Sequence, residues 1–207
     1  MTNDALLGQP VPGWTAPLAP TGVVLDGHFV RLERMDPDTH AADLHRAYIG
    51  HDALWDYMPY GPFPSAAGYH RWAKDTATGE DPLFYVLRDK ASGHCGGVAS
   101  YLRITPAAGS IEVGHICLSP EIARGRVWTE AMFLMMDWAF SNGYRRYEWK
   151  CNRDTAWFAI IDAEWPALRE AYAAWLSPRN FDAKGRQKER LSDLTRLVRV
   201  AEDPGLR

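Results

Sequence analysis

The residues best suited to chemistry lie where an apolar, strand-forming run gives way to a helical one. The run Ser110–Leu118 ends at Ser119-Pro120, and a pattern of period 3.6 opens near Arg126. A helix starting there leaves its first backbone N–H groups without carbonyl partners, and such groups hold phosphate well. Arg124 and Arg126 place two cations at that start, and Gly125 between them lets the backbone approach a ligand closely. The junction therefore suits pyrophosphate; the same residues would also serve as a solvent-facing loop. Cys95, Cys117 and Cys151 have no metal-type spacing to the histidines, and three cysteines fit a reducing compartment better than a disulfide scaffold. A loop holding Trp55, Tyr57, Tyr60 and Phe63 around Pro59 and Pro62 must either bury its rings or turn them to a ligand, and burial is expected.

Regular elements must position this junction. Residues 29–34 alternate as a strand, with a turn at Asp36-Pro37, and Asp38 is expected to cap a helix running to about Tyr48. Ser65 is a good N-cap for a second helix ending near Thr76. Three runs of strand formers, 83–88, 94–104 and 110–118, separated by turn residues, predict an antiparallel meander. The helix over 126–142 ends at Asn142-Gly143 and sets Trp128, Met132, Met135 and Ala139 on one face, with Ala131, Leu134 and Trp138 beside it. A strand over 144–151 follows, so strand, helix and strand imply a parallel crossover. A further strand over 155–161 and a helix over 163–176 complete the pattern.

The 207 residues give room for one domain, and 46% hydrophobic with 24% charged residues is the balance of a globular protein. A formal charge of −3 supplies no net field for polyanions, which argues against nucleic acid or an anionic membrane as the main partner. Nine tryptophans point chiefly to large packing units in the core. The first thirty residues hold no Lys or Arg, so export is not expected, and no apolar run is long enough to span a bilayer. A cytoplasmic location is expected. Pro10, Pro12, Pro17 and Pro20 make residues 1–27 an extended strap that Trp14 could pin to the domain, with 28–176 as the domain and 177–207 as a polar extension.

The stretch Glu112-Val113-Gly114-His115-Ile116-Cys117-Leu118-Ser119-Pro120, then Thr129-Glu130-Ala131 and Trp138-Ala139-Phe140, resembles the core of the GNAT superfamily of acyl-CoA-dependent N-acetyltransferases, in its RimJ/RimL-type branch. The resemblance implies an α/β GNAT fold: a mixed central sheet with helices on both faces and two splayed parallel strands forming a wedge for acetyl-CoA. It implies that the pantetheine arm pairs with backbone at Ile116, Cys117 and Leu118. The pyrophosphate would rest on amides of Arg124, Gly125, Arg126, Val127, Trp128 and Thr129, with the Thr129 hydroxyl as a further donor. Glu112 matches the family's strand glutamate and is the expected proton acceptor, since an alkyl ammonium with a pKa of about 10 must lose a proton before it attacks. A sheet-face glutamate paired with an arginine is the other reading of Glu112. Tyr147, His115 and Cys117 are further options for protonating the thiol, though expected to be packing residues.

By the same resemblance, the acceptor is a primary amine on a small molecule or a protein N-terminus, no metal is needed, and a homodimer is compatible. A homologue that binds acyl-CoA or a protein partner without turnover is the alternative. Relatives carry about thirty more residues, a helix and a strand, where this chain passes from Cys151-Asn152 into Arg153-Asp154. If the Asn152–Arg153 peptide is continuous, the strands on either side should form an antiparallel hairpin, leaving the cofactor arm more exposed and catalysis slow.

Overall fold

The computed structural model describes residues 11–151 and 156–196. Seven strands form one sheet in chain order: β1 (Leu25–Asp26), β2 (Val30–Arg34), β3 (Leu83–Asp89), β4 (Cys95–Thr105), β5 (Ser110–Leu118), β6 (Arg146–Cys151) and β7 (Ala156–Ile161). All neighbours are antiparallel except β5 and β6, which are parallel, as the intervening crossover helix requires. The helices are α1 (Pro37–Tyr48), α2 (Ala66–Thr76), α3 (Arg126–Ser141), α4 (Trp165–Leu176) and α5 (Leu191–Arg196). The meander, the crossover and the hairpin of β6 with β7 stand as expected; the Asn152–Arg153 junction itself lies outside the described residues.

Alternation along β3 explains the layering. Leu83, Tyr85 and Leu87 join a core with Val127, Ala131 and Met135 of α3, while Phe84 and Val86 join a second core with Leu44 of α1 and Tyr69 and Ala73 of α2. Helices thus cover both faces, and α4 packs beside α3 through Phe133 on Tyr172 and Phe140 on Trp165.

Several local expectations shift. Asp36, not Asp38, caps α1: its Oδ1 accepts from the Asp38 N–H at 3.1 Å, and Pro37 takes the first helical position, where its missing N–H costs nothing. Strand β2 begins at Val30 because Glu130 of α3 accepts the N–H groups of His28, Phe29 and Val30 at 2.8, 2.6 and 2.8 Å. The buried stripe of α3 is Val127, Glu130, Ala131, Met135, Met136 and Ala139; Trp128 and Met132 pack partly buried against the same core, as expected, and with Met136 also line a cleft. Ser65 caps α2, accepting from Gly68 N–H at 3.1 Å, as expected.

The strap is tied at Trp14, whose Nε1 donates to Gly143 O at 3.2 Å, and by the Tyr144 and Tyr85 hydroxyls, which donate to Leu18 O and Val23 O. After α4 the chain turns back through Asn180, whose side chain bonds to backbone at Trp175 and Glu189.

Candidate active site

Strands β5 and β6 pair only from Ser110↔Arg146 to Val113↔Trp149. Beyond Val113 the two part, so the backbone of 114–118 pairs with β4 but not with β6, and a wedge opens through the sheet; the Cys117 carbonyl also accepts from the Tyr48 hydroxyl at 3.1 Å. On the β4 side the register slips: Ser100 faces Gly114, whereas Val98 faces Cys117, leaving one extra residue in β5. That is a β-bulge, and His115 takes it with φ 50°, a left-handed value that costs a non-glycine residue about 1–2 kcal/mol. The bulge reverses the alternation. Val113 belongs to the α3-side core and Cys117 to the opposite one, while Ile116 and Leu118 turn to the α3 side.

A cavity of about 490 Å³ occupies the wedge. Tyr57, Met58 and Pro59 wall it from the loop between α1 and α2, Arg103 from β4, Glu112 and His115 from β5, Trp128 from α3 and Lys150 from β6. A second, apolar hollow of about 260 Å³ on the α3 side shares Ile116, Trp128 and Trp149 with it.

Glu112 is only 4% exposed and its Oε2 receives Nη1 of Arg103 at 2.7 Å. Burial pushes its carboxyl above the usual range; Arg103 pulls the other way, Glu148 adds to the rise and Lys150 opposes it. Both readings of Glu112 from the sequence are therefore realised in one residue: it is paired with an arginine and it lines the cavity. Arg103 has φ 46° and is held by Asp81, whose oxygens accept its N–H and that of Ile104 at 2.9 and 3.1 Å.

At the head of α3, Gly125 is the N-cap in an extended conformation and no side chain caps the helix, so the amides of the first turn remain open to an anion. Arg124 is exposed at φ 57° in the preceding turn. Arg126 departs from the expected cradle: its guanidinium lies over the Phe29 ring at 4.6 Å and near Phe181 at 5.9 Å, beside Lys90 and His28. The Thr129 hydroxyl bonds back to Gly125 O at 3.1 Å, Val127 is core, and Trp128 lines the cavity.

Cys117 is buried on the α1/α2 face, its thiol pushed up to about 12 by burial, which suits a packing role. Tyr147 is buried on the α3 side, and its hydroxyl has no hydrogen-bond partner. Of the aromatic loop, Trp55 is buried and Phe63 partly so, but Tyr57 is 56% exposed at the cavity mouth. Three residues of the site or of the helix beside it carry little signal in the sequence. Arg103 is legible only as an arginine in an apolar strand, Tyr60 is hidden among neighbouring rings, and Glu130 stands in the Thr-Glu-Ala stretch without a visible partner.

Residues 30–162 match the profile of the acetyltransferase (GNAT) domain, in its RimJ/RimL-type branch. The chain belongs to the GNAT acetyltransferase family. Among solved structures, a GCN5-related N-acetyltransferase from Brucella melitensis is 34% identical at a TM-score of 0.86, covering 89% of this chain and 99% of that one. A probable acetyltransferase of the GNAT family from Chromobacterium violaceum is 30% identical at a TM-score of 0.72, covering 78% and 97%. RimL, a ribosomal L7/L12 α-N-protein acetyltransferase, shares the fold at 16% identity and a TM-score of 0.50, covering 69% and 78%. A search of curated proteins finds no match. The protein is thus an N-acetyltransferase of α/β GNAT fold, and enzymes of this family use acetyl-CoA. Among the described residues no helix is long and apolar enough to cross a membrane.

Proposed function

We propose that this GNAT enzyme moves the acetyl group of acetyl-CoA to a primary amine, on a protein N-terminus or a small molecule, with Glu112 as a proton acceptor. One observation carries the reading: a buried carboxylate lines a cavity at the point where two parallel strands part, with an uncapped helix N-terminus at the same end of the wedge. The residues fit the co-substrate. The backbone edge at Ile116, Cys117 and Leu118 offers peptide groups to the amide-bearing arm, and the amides of Arg124 through Thr129 offer donors to pyrophosphate. Arg124 adds charge there, whereas Arg126, stacked on Phe29, suits the outer phosphate or base end better.

Glu112 suits the role because burial raises its affinity for a proton, which brings a carboxylate nearer to the working pH. The acceptor enters past Tyr57 and Met58, and a wall open to solvent suits the end of a peptide chain as well as a small amine. The RimL likeness, at the level of fold, supports the protein N-terminus. Measuring CoA release with a panel of small amines and N-terminal peptides tests the reading: turnover with at least one class is expected. Acetyl-CoA binding with no turnover on any acceptor would instead favour a non-catalytic acyl-CoA binder. That second reading draws on the antiparallel pairing of β6 with β7, which leaves Trp149 and Phe158 stacked at 5.5 Å and partly open to solvent.

A further inference from the structure

We infer that His115, oriented by Tyr60, is a second proton acceptor in the acetyl-transfer site. The inference rests on the acetyltransferase reading above and deepens it. Glu112 alone is poorly placed to do all the proton handling. Its Oε2 is tied to Arg103 at 2.7 Å, so protonating this buried carboxylate works against an ion pair with the half-exposed Arg103 side chain. Converting an ammonium to an amide also strips two protons from nitrogen, one leaving with the CoA thiol and one to solvent, so a second acceptor has work to do.

His115 has the geometry. It occupies the bulge in a left-handed conformation that glycine would adopt at less cost, and such strain persists where a side chain is held for use. Its Nδ1 lies 2.9 Å from the Tyr60 hydroxyl, its ring stacks on Tyr60 at 5.8 Å and 10°, and Phe84 backs it at 5.0 Å. Both Glu112 and His115 line the 490 Å³ cavity, three residues apart on one strand. In the tautomer whose Nδ1–H donates to the Tyr60 oxygen, Nε2 carries the lone pair and is the nitrogen left for a ligand.

The titratable and charged groups around the imidazole are Tyr57 and Tyr60 from the loop, Arg103 from β4, Glu112 and Cys117 from β5 and Lys150 from β6. Burial, then Arg103, lowers the imidazole's proton affinity, which keeps it neutral and able to accept. In the step, an N–H bond of the ammonium breaks with its electron pair kept on nitrogen. The proton passes to Nε2, and Nδ1–H stays bonded to the Tyr60 oxygen. The freed amine then forms the C–N bond as the C–S bond breaks with its electron pair kept on sulfur, and the second nitrogen proton goes to the departing thiolate to give CoA thiol.

The test is His115→Gly, which suits the backbone angle and leaves a space the size of the ring. With an acceptor amine that the wild type turns over, kcat/KM should fall by about 10²-fold or more while acetyl-CoA affinity stays within about twofold. Added imidazole should restore turnover in proportion to its neutral form. Tyr60→Phe should fall about tenfold and alter the acid limb of the pH profile, since it removes the group that holds the tautomer. Near-wild-type activity in His115→Gly, or a loss that imidazole does not relieve, overturns the inference and leaves His115 a packing residue. Failure of the wild type itself on every amine is a separate result that removes the acetyltransferase reading.

Discussion

Glu112 is held between opposing influences, and its partner Arg103 is the way to separate them. Glu112→Gln keeps the shape and removes the proton acceptor, so kcat should fall by about 10²-fold or more with acetyl-CoA affinity little changed. Calorimetry beside steady-state kinetics checks the split; a parallel loss of affinity would make Glu112 structural. In Arg103→Gln the cation that pulls the carboxyl down is gone, while burial and Glu148 still push it up. The same cation also holds His115 down. Both groups should therefore bind protons more tightly, and the acid limb of kcat/KM, below which activity is lost as pH falls, should move to higher pH. A pH–rate profile of the variant reads this shift directly.

Helix α3 serves two sites at once, and its first two turns divide the work. Its uncapped N-terminus faces the proposed pyrophosphate position, with Arg124 in the turn before it and Arg126 turned against Phe29. Replacing both arginines by alanine should weaken acetyl-CoA binding more than tenfold, about 1.4 kcal/mol, and the loss should shrink at high salt. Unchanged affinity in calorimetry would remove the assignment. One turn further on, Glu130 is 5% exposed and accepts three backbone N–H groups at the start of β2. Glu130→Ala would leave those amides without partners and should cost about 3–5 kcal/mol in urea unfolding, with Glu130→Gln milder. Gly27 belongs to the same contact: a Cβ there would fall on the Glu130 carboxylate.

At the scale of the whole molecule, the wedge joins the two halves of the sheet through only four residue pairs of β5 and β6. A ligand bridging the parted strands and the head of α3 binds the folded state alone. Acetyl-CoA at roughly 100 times its Kd should therefore stabilise the protein by about 2.7 kcal/mol, or about 5–10 °C in Tm. A thermal shift titration checks it. No shift at saturating acetyl-CoA would place the cofactor elsewhere or nowhere.

Patterns local to the chain are legible in the amino-acid sequence itself. The three-strand meander shows as β-branched and aromatic runs between turn residues, the Ser65 cap as a hydroxyl ahead of a helical period, and the end of α3 as Asn142-Gly143. The strand, helix and strand order then implies the parallel pair, and the Glu112 to Pro120 stretch carries the family resemblance. What only the tertiary structure decides depends on partners far apart in sequence. Arg126 stacks on Phe29, 97 residues earlier, and Glu130 reaches Val30, 100 residues away. No periodicity along one strand announces the bulge at His115, because register is a property of two strands, and a one-residue slip changes which face each side chain meets. That slip puts His115 beside Tyr60 and sends Cys117 into the core. Residue types and spacing pointed to a helix start suited to phosphate, and the family resemblance implied an acyl transfer site; only the packed sheet decided which side chains face it, because local signals set elements while register and burial are settled between them.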